Sequence, residues 1–191
     1  MKAATPPISV TVANIPLFVY GTLMAPEVME SLLHRRVYGH PVRLLPSSYQ
    51  RDTSSAQVAT IGSNEEIRYD YSRHPVRNAV YPGLVHWNAK NDDKSVLERK
   101  NYVSGLLYSN LTEAEMEQLD KFEGDQYVKE LCFVQRQHTY DDCNSVDAAF
   151  DHSADVVQAM VYVWSYPLSD LDLTKDWSYK IFEEQHLATY I

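Results

Sequence analysis

Two segments of the chain place polar groups where the backbone adds to their chemistry. The first is Tyr20-Gly21-Thr22-Leu23, a turn between a short apolar run and the Pro26-Glu27 start of a helix. Backbone N–H groups at such a turn can converge on one small anion. A glycine that only reverses the chain after a strand reads the same way. The second segment is Leu119-Asp120-Lys121-Phe122-Glu123-Gly124-Asp125-Gln126-Tyr127. Glu123 falls in the last turn of a helix, at the negative end of the dipole, where its charge is disfavoured. Such a carboxyl titrates late, which is what a general acid/base working near neutral pH requires. A solvated surface acid fits the same position, so spacing alone leaves both readings open.

Other chemistries lack their motifs. The histidines His34, His40, His74, His86, His138, His152 and His186 fall in neither H-E-x-x-H nor Cys/His metal spacing, so no metal is expected. G-x-S-x-G, Walker A and G-x-G-x-x-G patterns are absent, and with them the usual serine-hydrolase, P-loop and dinucleotide signatures. The acidic stretch with Asp141, Asp142, Asp147, Asp151 and Asp155 misses the calcium-loop spacing and its glycine, and reads as a solvated loop. Cys132 and Cys143 could form only one bridge, which a chain of this size does not need, so free thiols are expected. The Asn110-Leu111-Thr112 sequon reads as a chance match.

The elements that must position these groups follow from periodicity. A strand is expected over Pro16 to Tyr20, then a helix from Pro26 in which Met29, Leu32 and Leu33 recur up to His34-Arg35-Arg36. Ser47 to Ser72 is polar and without period, a long surface insertion. Order resumes at Arg77 to Trp87, with a turn or edge irregularity at Tyr81-Pro82-Gly83-Leu84. Asn88 to Lys100 reads as a charged loop and Tyr102 to Tyr108 as a strand. The next helix has complete start signals: Thr112 and Glu115 fit a capping box, Leu111 and Met116 a hydrophobic staple. Met116, Leu119 and Phe122 follow one face until Gly124 offers a left-handed stop. Strands over Tyr127 to Arg136 and Gln158 to Trp164 flank the acidic stretch and read as an antiparallel pair joined by it. Trp177, Ile181 and Phe182 stand at helix-like spacing in a tail that should pack back on the domain.

The chain has 191 residues, 45% of them hydrophobic, enough for a single core. We expect an arm over residues 1–13 and one domain over 14–191, with surface insertions near 47–72 and 140–155. The net charge of −9 and a pI near 5.2 oppose nucleic-acid binding, including through Arg68 to Arg77. No apolar run is long enough to span a bilayer, since Thr11, Asn14, Pro16 and Gly21 break the best stretch, and the N-terminus lacks a signal pattern. A cytoplasmic location is the expectation.

In order along the chain, Phe18-Val19-Tyr20-Gly21-Thr22-Leu23-Met24, Tyr81-Pro82-Gly83, the Leu119–Tyr127 segment and Tyr162-Val163-Trp164 resemble the AIG2-like branch of the γ-glutamylcyclotransferase-like superfamily. The likeness runs from about Pro16 to Trp164, and the closing 177–191 segment is similar to tails in plant and fungal members. It implies an α+β fold, a small mixed β-barrel with short flanking helices and a pocket near the Tyr-Gly-Thr-Leu loop. It also makes Glu123 the catalytic acid/base, Tyr20, Gly21, Thr22 and Leu23 the loop that holds a γ-glutamyl group, and Tyr81 and Tyr127 pocket residues. The implied reaction releases 5-oxoproline from a small-molecule γ-glutamyl substrate without a cofactor. Both Tyr49-Gln50-Arg51 and Tyr71-Ser72-Arg73 can fill the family's Y-x-R-like strand; we favour the second, which lies nearer Tyr81. The alternative is a binding protein on the same fold without turnover, such as a stress or defence regulator. Retention of Glu123 counts against it.

Overall fold

The computed structural model describes residues 15–47, 49, 70–87, 102–136 and 156–191. The expected arm, the middle of each expected insertion, the charged loop from Asn88, and Cys143 lie outside the described residues.

The chain opens with β1 (Leu17–Val19), a 3-10 turn over Thr22–Met24, and α1 (Pro26–Leu33). β2 (His40–Leu44), β3 (Tyr71–Pro75), β4 (Pro82–His86) and β5 (Ser104–Tyr108) follow, then α2 (Glu113–Glu123). β6 (Tyr127–Arg136), β7 (Val156–Trp164), α3 (Tyr179–Gln185) and α4 (Leu187–Tyr190) complete it. Five strands close a barrel in the order β1-β5-β2-β6-β7, and β3 with β4 forms a separate antiparallel hairpin. Every neighbouring pair in the barrel is antiparallel except β1 and β7, which close it in parallel with Leu17 opposite Met160 and Phe18 opposite Val161. The architecture is the small mixed barrel with short helices that the resemblance implied.

Strand alternation divides the core in two. Phe18 points into the barrel with Val42, Leu44, Leu107, Val134, Ala159 and Val161. Its neighbours Leu17 and Val19 face outward onto a helical pad of Met29, Met116, Leu119, Trp177 and Phe182. Gly105 allows this crossing, because a Cβ there would meet the carbonyl oxygen of Val19 and the Phe18 ring. A third cluster of Val76, Val85, Trp164 and Leu171 seats the hairpin on β7.

The local start signals of α2 form as expected. Thr112 Oγ1 accepts from Glu115 N (3.2 Å), the Glu115 carboxylate accepts from Thr112 N (2.7 Å), and Leu111 and Met116 are both buried. Arg35 lies past the end of α1, where His34 turns left-handed (φ 53°), and reaches across to Glu115 (2.5 Å). Two expectations change. Tyr71 and Ser72 belong to β3, so the polar stretch ends sooner, and Asp70 ties its far end to Ser47 by accepting from Ser47 N at 2.9 Å. In the tail, Trp177 precedes α3 and Ile181 is half exposed; Phe182 alone of that helix is buried. No helix among the described residues is long and apolar enough to cross a membrane.

Candidate active site

β1 delivers Tyr20 to the rim of the barrel, where its polar atoms are all used. The phenol donates to the Tyr162 carbonyl (2.7 Å) and accepts from Leu84 N (3.2 Å). The Tyr20 carbonyl accepts from Arg73 Nη1 (2.6 Å), and the Arg73 guanidinium lies 5.2 Å from the centre of the Trp177 ring. Tyr20 therefore rivets the barrel to the hairpin, and Arg73 fixes the entry to the turn. This geometry gives Tyr71-Ser72-Arg73, the favoured Y-x-R segment, a role.

Gly21 follows, with φ −119° and ψ −141°. A Cβ on it would lie 2.9 Å from Pro82 Cγ, so glycine is required by the hairpin's proline packed against the turn. The 3-10 turn then closes with Met24 N donating to Gly21 O (3.0 Å) and Ala25 N to Thr22 O (3.1 Å). The first N–H groups of such a turn have no acceptor within it. Thr22 is 5% exposed, and its hydroxyl lies 3.4 Å from the Tyr190 hydroxyl on α4.

Across from the turn, α2 ends at Glu123 because Gly124 adopts φ 70°, a conformation costly for any residue with a Cβ. A small cleft is lined by Tyr20, Gly21, Thr22, Leu23, Tyr81, Glu123 and Tyr127, together with Phe18, Val19, Pro82 and Tyr162. All seven residues named from the sequence thus share one cleft. Its walls are held by phenols that spend their protons on one another's surroundings. Tyr127 donates to Pro82 O (2.8 Å), Tyr81 to Gln126 Oε1 (3.1 Å) and Tyr162 to Asp120 Oδ1 (2.6 Å).

That arrangement sets the state of Glu123. Among the described residues nothing hydrogen-bonds or ion-pairs with its carboxyl, which sits partly buried at the cleft wall. Burial first, and then the negative charge of Asp120 one helical turn earlier, push its pKa up to about 8. Asp120 is itself engaged by Lys129 Nζ (2.7 Å) as well as Tyr162. Of the two causes acting on Glu123, desolvation by the cleft is the larger. The same burial raises Tyr20, Tyr127 and Tyr162 well above the ordinary phenol range, and the Glu123 charge adds to it in each case.

The sequence reasoning left out three contributors. Tyr162 was visible only inside the Tyr162-Val163-Trp164 match, and Asp120 only as a neighbour of Glu123. Tyr190 carried no signal, because nothing local says that α4 folds back over the turn.

The family model for γ-glutamyl cyclotransferase, AIG2-like, matches residues 17–179. The chain belongs to this family. It is 27% identical over 181 residues to AIG2-like protein D of Arabidopsis thaliana, covering 95% of this chain and 87% of that relative. Two solution structures from the same plant share the fold of this AIG2-like chain. At3g28950.1 aligns with a TM-score of 0.55 at 17% identity, covering 96% of this chain and 81% of its own. At5g39720.1 aligns at 0.51 and 19%, covering 96% and 88%.

Proposed function

We propose that this AIG2-like chain is a γ-glutamylcyclotransferase that releases 5-oxoproline from a γ-glutamyl amine or peptide, with Glu123 as general acid/base. The observation that carries this reading is an unpartnered carboxyl, protonated near neutrality, facing a turn with free N–H groups across a cleft. In a γ-glutamyl amide the substrate's own α-amine is the nucleophile. Closing the five-membered ring gains its rate from intramolecularity and needs no nucleophile from the protein.

The ionised form of Glu123 takes a proton from the α-ammonium. The freed amine attacks the γ-carbonyl carbon, and turn N–H groups at Gly21 to Leu23 stabilise the charge that grows on oxygen. As the tetrahedral intermediate collapses, the bond to the leaving amine breaks and Glu123 returns the proton to that nitrogen. The ring nitrogen, which still carries two hydrogens, gives its second proton by way of the same carboxylate to the departing amine, which leaves as the ammonium. The carboxyl ends as it began. A pKa near 8 suits both halves, since neither protonation state is far from the working pH. Tyr81 and Tyr127 wall the substrate's path.

The test is direct: incubate the protein with a panel of γ-glutamyl amino acids, peptides and amines and measure 5-oxoproline. Release from at least one class supports the reading. Binding without release from any of them would favour a non-catalytic binding protein on the same fold.

A further inference from the structure

Resting on the reading above, we propose that the Thr22 and Tyr190 hydroxyls together clamp the α-carboxylate of the γ-glutamyl substrate, making Tyr190 a substrate-positioning residue. Four phenols of the cleft, Tyr20, Tyr81, Tyr127 and Tyr162, donate their protons to fixed protein acceptors. Tyr190 differs. Among the described residues its hydroxyl meets that of Thr22, either of the two donating, at 3.4 Å, the long limit for a hydrogen bond between hydroxyls. Thr22 is more than nine-tenths buried and lines the cleft, so its hydroxyl is a buried polar group whose described contact is a poor one. A carboxylate set between the two would accept a good hydrogen bond from each.

The surroundings fit that ligand. Tyr190 is held edge-on to Phe182 (ring centres 5.2 Å apart), and α3 packs on the Thr22–Met24 turn, so α4 is anchored over the cleft. Thr22 and Glu123 line the same cleft, and the Glu123 charge is felt at Tyr190. An α-carbon between them would present its ammonium to Glu123 and its carboxylate to the hydroxyls. That is the orientation ring closure needs.

The experiment compares wild type, Tyr190→Phe and Thr22→Val on one γ-glutamyl substrate and on its analogue with the α-carboxylate converted to a carboxamide. For the acid, each variant should raise KM about three- to tenfold, the worth of one hydrogen bond, with kcat within about twofold. For the carboxamide, whose oxygen accepts only neutral hydrogen bonds, the rise should be clearly smaller, and melting temperatures should be unchanged for Tyr190→Phe. For any compound that is not turned over, dissociation constants measured by calorimetry in the Glu123→Gln background replace KM. An unchanged KM for the acid in Tyr190→Phe, or an equal rise for acid and carboxamide, overturns the clamp and leaves the cyclotransferase reading standing. A wild-type protein that neither binds nor turns over either compound overturns that reading, and the clamp falls with it.

Discussion

At the scale of single residues, the cleft is a study in withheld hydrogen bonds. Tyr162 lies close enough to Glu123 for their charges to interact, yet gives its proton to Asp120, and Glu123 is left with a carboxyl that resists ionisation. Glu123→Gln should therefore cut turnover by about 10²- to 10⁴-fold while preserving the fold, since the amide is nearly isosteric and carries no exchangeable acid proton. Wild-type kcat/KM should rise with pH toward about 8 as the base form accumulates, and Gln should abolish that limb. The same change should stabilise the protein. The folded state holds the Glu123 proton up to about pH 8, whereas the unfolded chain releases it near 4.5, so wild-type stability falls across that interval and Gln is exempt. Melting temperatures should coincide near pH 4.5 and separate in favour of Gln by pH 8. At Gly21, a side chain carries a steric penalty. Valine would strike Pro82, whose carbonyl anchors Tyr127, so Gly21→Val should weaken γ-glutamyl ligand binding in calorimetry and broaden the effect to the Tyr127 wall. Glu123 was legible because its Phe122-Glu123-Gly124 setting is local. Tyr190 was not, because its role depends on a contact 168 positions away.

At the scale of elements, legibility follows how much of an element is specified by its own neighbours in sequence. The bounds of α2 were readable, since its caps, staple and stop lie in it or beside it, but Phe122, expected on the face of Met116 and Leu119, is exposed. In the tail, Trp177 and Phe182 pack inward as expected, but the helix begins only at Tyr179, so Trp177 lies before it and Ile181 turns outward. The polar stretch after β2 is clasped at its base. Asp70 accepts from Ser47 and pairs with His86 Nε2 at 3.3 Å, and His86 stacks on Tyr71 with ring centres 4.6 Å apart. With its ends fixed by these contacts, replacing residues 54–66 by a short Gly/Ser link should change the melting temperature by no more than a degree or two. Loop length enters closure entropy only logarithmically, on the order of a few tenths of a kcal/mol here. A differential scan of the shortened chain checks it, and a large drop would mean that the segment packs into the core.

At the scale of the molecule, the class and the antiparallel pairing of β6 with β7 were legible, and the rest of the topology was not. Strand periods announce β-structure but not which strand meets which, and the order β1-β5-β2-β6-β7 is decided by long-range packing around Phe18 and Gly105. Gly105→Ala should consequently cost about 1–3 kcal/mol, read as a loss of denaturant midpoint, because the added methyl is driven into the Val19 backbone where nothing flexible can yield. The parallel pairing of β1 with β7 has a consequence for biosynthesis. A chain emerging from the ribosome holds β1 long before β7 exists, and the Tyr20 phenol must wait for the Tyr162 carbonyl 142 positions later. Until Val156–Trp164 has cleared the exit tunnel the barrel stays open along one edge, and Glu123 lacks the wall that desolvates it. Stalled nascent chains ending before Val156 should be protease-sensitive throughout, and protection should arrive in a single step once the last strand is free, so that the protein acquires its shape and its acid together.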